Sequence, residues 1–490
     1  MRTRIALLAA ALAVVLPSHR GLAQQGVLTY HGDESRSGNF VVPALTFDKA
    51  RSIHLDRTFD ARVDGHLYAQ PLYWRASGSN AAMLLTASES NLVQAFDAQT
   101  GKELWRRSAG RPVSGASLPC GNINPMGITG TPVIDPSTSA IYFAAAVEQA
   151  DGPHYQVFGL SLKDGSILKG WPVDVAAALQ KMGQRFDARL YNQRTAVSLL
   201  DGNIYMGFSG HFGDCGDYHG WVVGFSVNTP GKLFSFATKA RGGGIWAPGG
   251  MSAVGHDIFV ATGNTFGART WSDGEAVFRL PADLHRSDNK RDYFAPSDWR
   301  GMDARDEDLG GSNPIPLNVS GGGAYILALG KDRKAYLLDR NNLGGIGGQL
   351  AVETASTGPI RTSPAAYPLG NDVMVAFEGP GAQCPNRSRG EGLTVLRIHG
   401  SSPPKMGTAW CGAVDGHGSV IVTTTDGHSN PIVWMLGAEG DNRLHAFRGD
   451  TGEPIFHSEA MRGLRHFQTL IATSERLYVG ADGRVFAFDF

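Results

Sequence analysis

The feature that most constrains this 490-residue chain is a phrase that it repeats. LVQAFDAQTGKELW, at 92–105, reads as a strand, a tight turn and the start of another strand. The Asp97 carboxylate can hold the turn amides, and Gly101 supplies a positive φ that a side chain resists. The phrase returns as VFGLSLKDGSILKGW (157–171), VVGFSVNTPGKLFSF (222–236), AYLLDRNNLGG (335–345) and LHAFRGDTGEPIF (444–456). AVFRLPADL (276–284) and LTVLRIHG (393–400) are weaker copies, and the chain ends on RVFAFDF (484–490), the same strand without its turn. Between the copies runs a second phrase, an apolar strand such as AIYFAAA (140–146), NIYMGFS (203–209), DIFVATG (257–263) or RLYVGAD (476–482).

Length alone would suggest about three domains, but the repetition argues for one. Glycine is abundant at 64 residues, charge is low at 18%, and amphipathic helical stretches are scarce, 173–182 being the best. This is an all-β composition. Each unit is a small antiparallel sheet of roughly 40 to 65 residues, the range of a propeller blade. Seven full copies and a truncated last one predict a single eight-bladed β-propeller over 27–490, with seven blades as the fallback. A truncated last unit leaves an open edge. The N-terminal strands around VLTY (27–30) and SIHLDRTF (52–59) are expected to complete it beside Phe486 and Phe488 and so close the ring.

Residues 1–23 read as a secretory signal peptide: Arg2 and Arg4, a short apolar run at 5–16, then Gly21-Leu22-Ala23. Periplasmic or secreted localisation follows, and no other apolar run is long enough for a membrane span. Removing 1–23 takes three arginines and no acid, so the formal charge falls from -1 to -4. That balance argues against a nucleic-acid partner. Cys120, Cys215, Cys384 and Cys411 form an even set with three possible pairings, and no Cys-x-x-Cys-His is present to attach a haem. Cys384 and Cys411 flank a single strand copy, and Cys120 and Cys215 adjoin glycine-rich loops expected on one face of the ring. The expected disulfides are therefore Cys384–Cys411 and Cys120–Cys215.

The Asp-x-x-Thr-Gly-x-x-x-Trp turn at 97–105 resembles the repeat of the pyrroloquinoline quinone (PQQ) propellers, a family of alcohol-oxidising quinoproteins and non-catalytic members. The central third is similar to the dehydrogenases in its order of elements: SGHFGDCGDYHGWVVGFS (209–226), GGGIWAPGG (242–250), FVATGNTFG (259–267) and KDRKAYLLDR (331–340). The resemblance implies Trp246 as the floor under a quinone, Lys331 as a quinone contact and Asn264 as a calcium ligand. Asp273 is the nearest match to the catalytic base, a few residues late.

The chain also departs from the family. Cys120 is followed by Gly121, not by a second cysteine; Met126 falls near the place of an arginine that would hold a quinone carboxylate, and His211 near that of a calcium-binding glutamate. Asp214 and Asp217 are close enough in sequence to replace that glutamate. His211, Cys215 and His219 raise a copper or zinc alternative, though a disulfide accounts for Cys215 more simply. The acidic run at 298–311 reads as a solvated connection between blades, with a surface calcium site as the alternative.

Two functions follow. One is a quinoprotein-like oxidoreductase using PQQ and calcium on an alcohol or sugar and passing electrons to a separate acceptor. The other is a non-catalytic propeller that binds a protein, glycan or other surface ligand at its face.

Overall fold

A computed structural model describes residues 26–79, 81–385 and 392–490; the signal-peptide reading at 1–23 lies outside them. Eight small sheets form an eight-bladed β-propeller. All eight copies of the repeated phrase occupy the same place, the third strand of a blade. They are Leu92–Asp97, Gly152–Ser161, Trp221–Ser226, Val277–Pro281, Lys334–Asp339, Gly392–His399, Leu444–Arg448 and Arg484–Asp489. The second phrase supplies second strands, at Ala140–Gln149, Asn203–Gly210, Asp257–Ala261 and Arg476–Ala481.

The turn chemistry explains the local geometry. Asp97 Oδ1 accepts from the Gln99 and Thr100 amides at 3.1 and 2.8 Å, and Gly101 has φ +76°. Trp105, where the phrase ends, donates from its indole to the Leu162 carbonyl of the next blade at 3.1 Å and lies against Gly165. Trp410 repeats this contact between the sixth and seventh blades, donating to the Gly449 carbonyl at 2.9 Å and packing on Gly452. Each such tryptophan locks a fourth strand to the next blade's turn. A Cβ on that turn glycine would strike the ring.

The ring closes as expected. His54–Leu55 pairs antiparallel with the last strand, placing Leu55 opposite Phe488 and His54 opposite Asp489. VLTY does not take part in that closure. Gly26–Val27 instead adds to the inner edge of the first blade, opposite Tyr73 and Trp74. The reason lies just downstream. The segment from Leu28 to Val42 bonds in turn to Ile134, Ala253, Ala366 and Val422, on the inner strands of four other blades. Arg36, fully buried, donates to the Gly249 and Met251 carbonyls at 3.0 Å each and to Ser198 Oγ at 2.6 Å. The N-terminal segment thus stitches the ring across its axis before it reaches the last blade.

The helix expected in 173–182 is present as Val175–Lys181, capped by Asp174. The disulfides are Cys120–Cys215 and Cys384–Cys411, with Cα–Cα separations of 6.1 and 5.7 Å. No helix among the described residues is long and apolar enough to cross a membrane.

Candidate functional site

The loops leading into the inner strands converge on one cavity of about 640 Å³. Every one of the six blade junctions from the second-to-third to the seventh-to-eighth contributes, so the cavity lies on the propeller axis. Trp246 stands in its wall, partly exposed. The glycines around it do two jobs. Gly242 and Gly243 have φ +90° and +61°, which turns the chain inward. Gly244, Gly263 and Gly311 make room: side chains there would meet Ser209, Asp308 and the indole edge respectively.

Three residues implied by the resemblance to the quinoprotein dehydrogenases meet here. Trp246, Asn264 and Lys331 all line the cavity. Lys331 Nζ lies 5.8 Å from the centre of the Trp246 ring and 2.5 Å from Asp308 Oδ2, with Asp306 at 2.9 Å. Burial works against the ammonium, but the two carboxylates outweigh it and hold the Lys331 pKa above its ordinary value. Asp308 Oδ1 accepts from the Asn264 amide at 2.7 Å. Behind this pair Glu275 is buried and accepts from the Leu309 amide at 2.6 Å. Burial and neighbouring Asp308 push its carboxyl well above the usual range.

The acidic run at 298–311 is therefore not simply a solvated connection. Asp308 enters the cavity wall, and Asp303 turns inward to accept from the Thr265 amide and hydroxyl at 2.7 and 2.6 Å. The run's first half forms the helix Trp299–Arg305. It looks solvated in sequence because acids and arginines are interleaved; the fold pairs Arg305 with Asp298 and Glu307 and turns Asp303 and Asp308 inward.

Asp273 is not brought to the cavity. It is fully buried elsewhere, with Oδ1 paired to Arg286 at 2.7 Å and Oδ2 accepting from the Lys239 amide at 3.1 Å. Asp214 does line the cavity and accepts from the Tyr218 hydroxyl at 2.6 Å, whereas Asp217 is exposed outside it. His211 lines the cavity, with Nε2 3.1 Å from the Arg189 carbonyl, and burial lowers its pKa, so the ring is neutral. Cys215 is in its disulfide and His219 Nδ1 lies 2.9 Å from the Thr238 carbonyl, which leaves no soft-metal set there. Among the described residues no group of three His, Cys, Asp or Glu side chains is placed to hold a metal ion. Calcium wants six to eight oxygens; here the nearest carboxylates are already committed to Lys331 and Tyr218. The donor set does not fit calcium.

Met126 is buried in the second-blade core and offers no charge. Two cations that sequence reading missed face the cavity instead. Arg194 places its guanidinium carbon 4.4 Å from the centre of the Phe467 ring and 5.8 Å from that of Trp246. Arg361 lines the same wall. Neither belongs to a recognisable motif, so only the convergence of loops could reveal them.

No protein-family model matches the chain, and no curated protein matches it. Solved structures do, over almost its whole length. Quinohemoprotein alcohol dehydrogenase from Comamonas testosteroni matches at 13% identity and TM-score 0.63, covering 96% of this chain and 81% of that one. A europium-containing methanol dehydrogenase matches at 11% and 0.63, covering 95% and 98%. What they share with this chain is the fold. BamB from Moraxella catarrhalis shares it too, at 13% identity and TM-score 0.50, covering 89% and 100%. The fold is therefore common to proteins of different names, and activity has to be argued from the cavity.

Proposed function

We propose that this protein is an exported quinoprotein-type propeller that binds PQQ at its axial cavity and oxidises an alcohol or sugar hydroxyl. The observation that carries the reading is the meeting of Trp246, Asn264 and Lys331 in one axial cavity, after each was assigned from a different stretch of sequence. PQQ fits the residues present: a planar anion can stack on the indole while cations stand around its rim. Bound there, the quinone would supply the hydride acceptor. The chain's own residues hold and orient. Trp246 offers the flat face, and Lys331 presents a cation beside it. Burial raises the Asp308 pKa against the opposing pull of Lys331, as suits a carboxylate that takes up a hydroxyl proton, and Asp308 lines the cavity where Asp273 does not. Electrons then pass to a separate acceptor. Export is supported by the two disulfides, which persist in oxidising compartments.

A second reading, a non-catalytic propeller binding a surface ligand, is favoured by one observation: the donor set lacks a calcium cage. Adding PQQ to the purified protein and following indole fluorescence and the quinone spectrum separates the first step. A screen of alcohols and sugars with a reducible dye tests the second. Saturable quenching that disappears in Trp246→Ala, together with hydroxyl-dependent dye reduction, supports the oxidoreductase. Quenching without reduction leaves the binding propeller, and no quenching defeats the PQQ reading.

A further inference from the structure

We infer that the axial cavity takes its ligand as a planar aromatic polycarboxylate held on Arg194 and Arg361, with no divalent cation in the contact. This deepens the PQQ reading and rests on the same cavity.

The argument begins with which charges are already answered. Lys331 is paired with Asp306 and Asp308, Glu439 with His466, and His417 with Glu378. Asp214 accepts a hydroxyl from Tyr218. Arg194 and Arg361 are the charged side chains of the lining with no hydrogen-bond or ion-pair partner among the described residues. The chain nevertheless brings these two cations to one wall. Burial lowers the pKa of Arg194 to about 10; Tyr68 and Glu89 offset part of this, and Arg361 adds a smaller repulsion. Arg194 stays charged at neutral pH, so its desolvation has to be met by something.

Contacts with two aromatic rings answer only part of that cost. A guanidinium fork matches a carboxylate in two parallel hydrogen bonds, and such charge-assisted bonds are the strong ones. The partly exposed Trp246 indole beside Arg194 adds a stacking surface, which selects a flat ligand over a flexible one. The Asp306 and Asp308 carboxylates, which a calcium ion would need, are spent on Lys331 instead. Cationic side chains thus do the work a metal would otherwise do.

Calorimetric titration of metal-stripped protein tests this, in EDTA and again with calcium chloride. The probes are PQQ, 2,6-naphthalenedicarboxylate and the neutral dimethyl ester of the latter. At least one of the two anions should bind in EDTA, with a Kd within about twofold of that in calcium, and the ester should not bind. Arg194→Gln and Arg361→Gln should each weaken the binding anion by about tenfold or more, the loss of one charge-assisted contact, while melting no lower than the parent. If a variant does not fold, the ester comparison and the loss of affinity with rising salt still decide on the parent protein. PQQ binding that needs calcium and ignores both arginines overturns the inference but leaves the quinone reading standing. Arginine-dependent binding of the naphthalene probe without PQQ binding does the reverse. Failure of both anions to bind overturns both.

Discussion

Lys331 Nζ lies 2.5 Å from Asp308 Oδ2, and the two side chains are 16% and 6% exposed. The pair joins the turn between strands Ala324–Leu329 and Lys334–Asp339 to the loop that precedes their blade. Its weight comes from what surrounds it: Glu275 is buried behind Asp308, and Asp303 is nearby.

Lys331→Met leaves Asp308 as an uncompensated buried carboxylate. Breaking a buried pair from one side costs roughly 3 kcal/mol or more. Burial already holds the Asp308 pKa above its ordinary value against the pull of Lys331, and without the ammonium it rises further. A raised carboxyl stabilises the fold below the unfolded pKa and loses that contribution as pH climbs. The deficit relative to the parent should therefore be largest at pH 7 and shrink towards pH 4. Urea denaturation at both pH values reads it; a deficit that is the same at both would refute the pairing.

Trp246→Ala removes a partly exposed ring that lines the cavity, with its edge against Gly311 and with Arg194 and Lys331 each 5.8 Å from its centre. A wholly buried tryptophan would cost about 3–5 kcal/mol. Here we expect roughly 1–2 kcal/mol and loss of PQQ quenching. Thermal unfolding with and without PQQ measures both quantities in one variant.

Glu89 is buried, accepts from the Gly127 amide through Oε2 at 2.6 Å, and has no partner for Oε1 among the described residues. Burial raises its pKa to about 7. Its contribution to stability is full below the unfolded pKa near 4.5 and is lost as pH rises to about 7. Glu89→Gln should match the parent at pH 4 and exceed it at pH 8 by on the order of 3 kcal/mol. A parallel pair of pH–stability curves would sink this account.

Cys384 and Cys411 are 27 residues apart in sequence. Loop entropy assigns their bridge about 3 kcal/mol. Replacing both with serine should lower the unfolding free energy read from urea denaturation by that amount, without altering the cavity. Peptide mapping of unreduced protein should recover Cys384 with Cys411 and Cys120 with Cys215.

The sequence by itself determined the architecture. Strand alternation and Asp–Gly turns act over a few residues, so eight copies of one phrase announce eight blades wherever each copy lies. The closing strand at His54–Leu55 was legible for a related reason: the last copy, RVFAFDF, visibly lacks a partner. Trp246, Asn264 and Lys331 were legible through the resemblance of GGGIWAPGG, FVATGNTFG and KDRKAYLLDR to the quinoprotein dehydrogenases' order of elements; that they share one cavity is a finding of the structure.

Tertiary structure decided the rest. Asp273 and Asp308 are both acids in polar loops, and nothing local says that Arg286 will capture one while Lys331 holds the other at the cavity. Arg194 and Arg361 sit 167 positions apart and share a wall only because different blade junctions converge on the axis. VLTY reads as a strand in either blade; the backbone bonds from 28–42 to four other blades fix which one it joins. Short-range patterns write the blades. The charge environment at the axis depends on which loops meet there, and that is settled only when the ring closes.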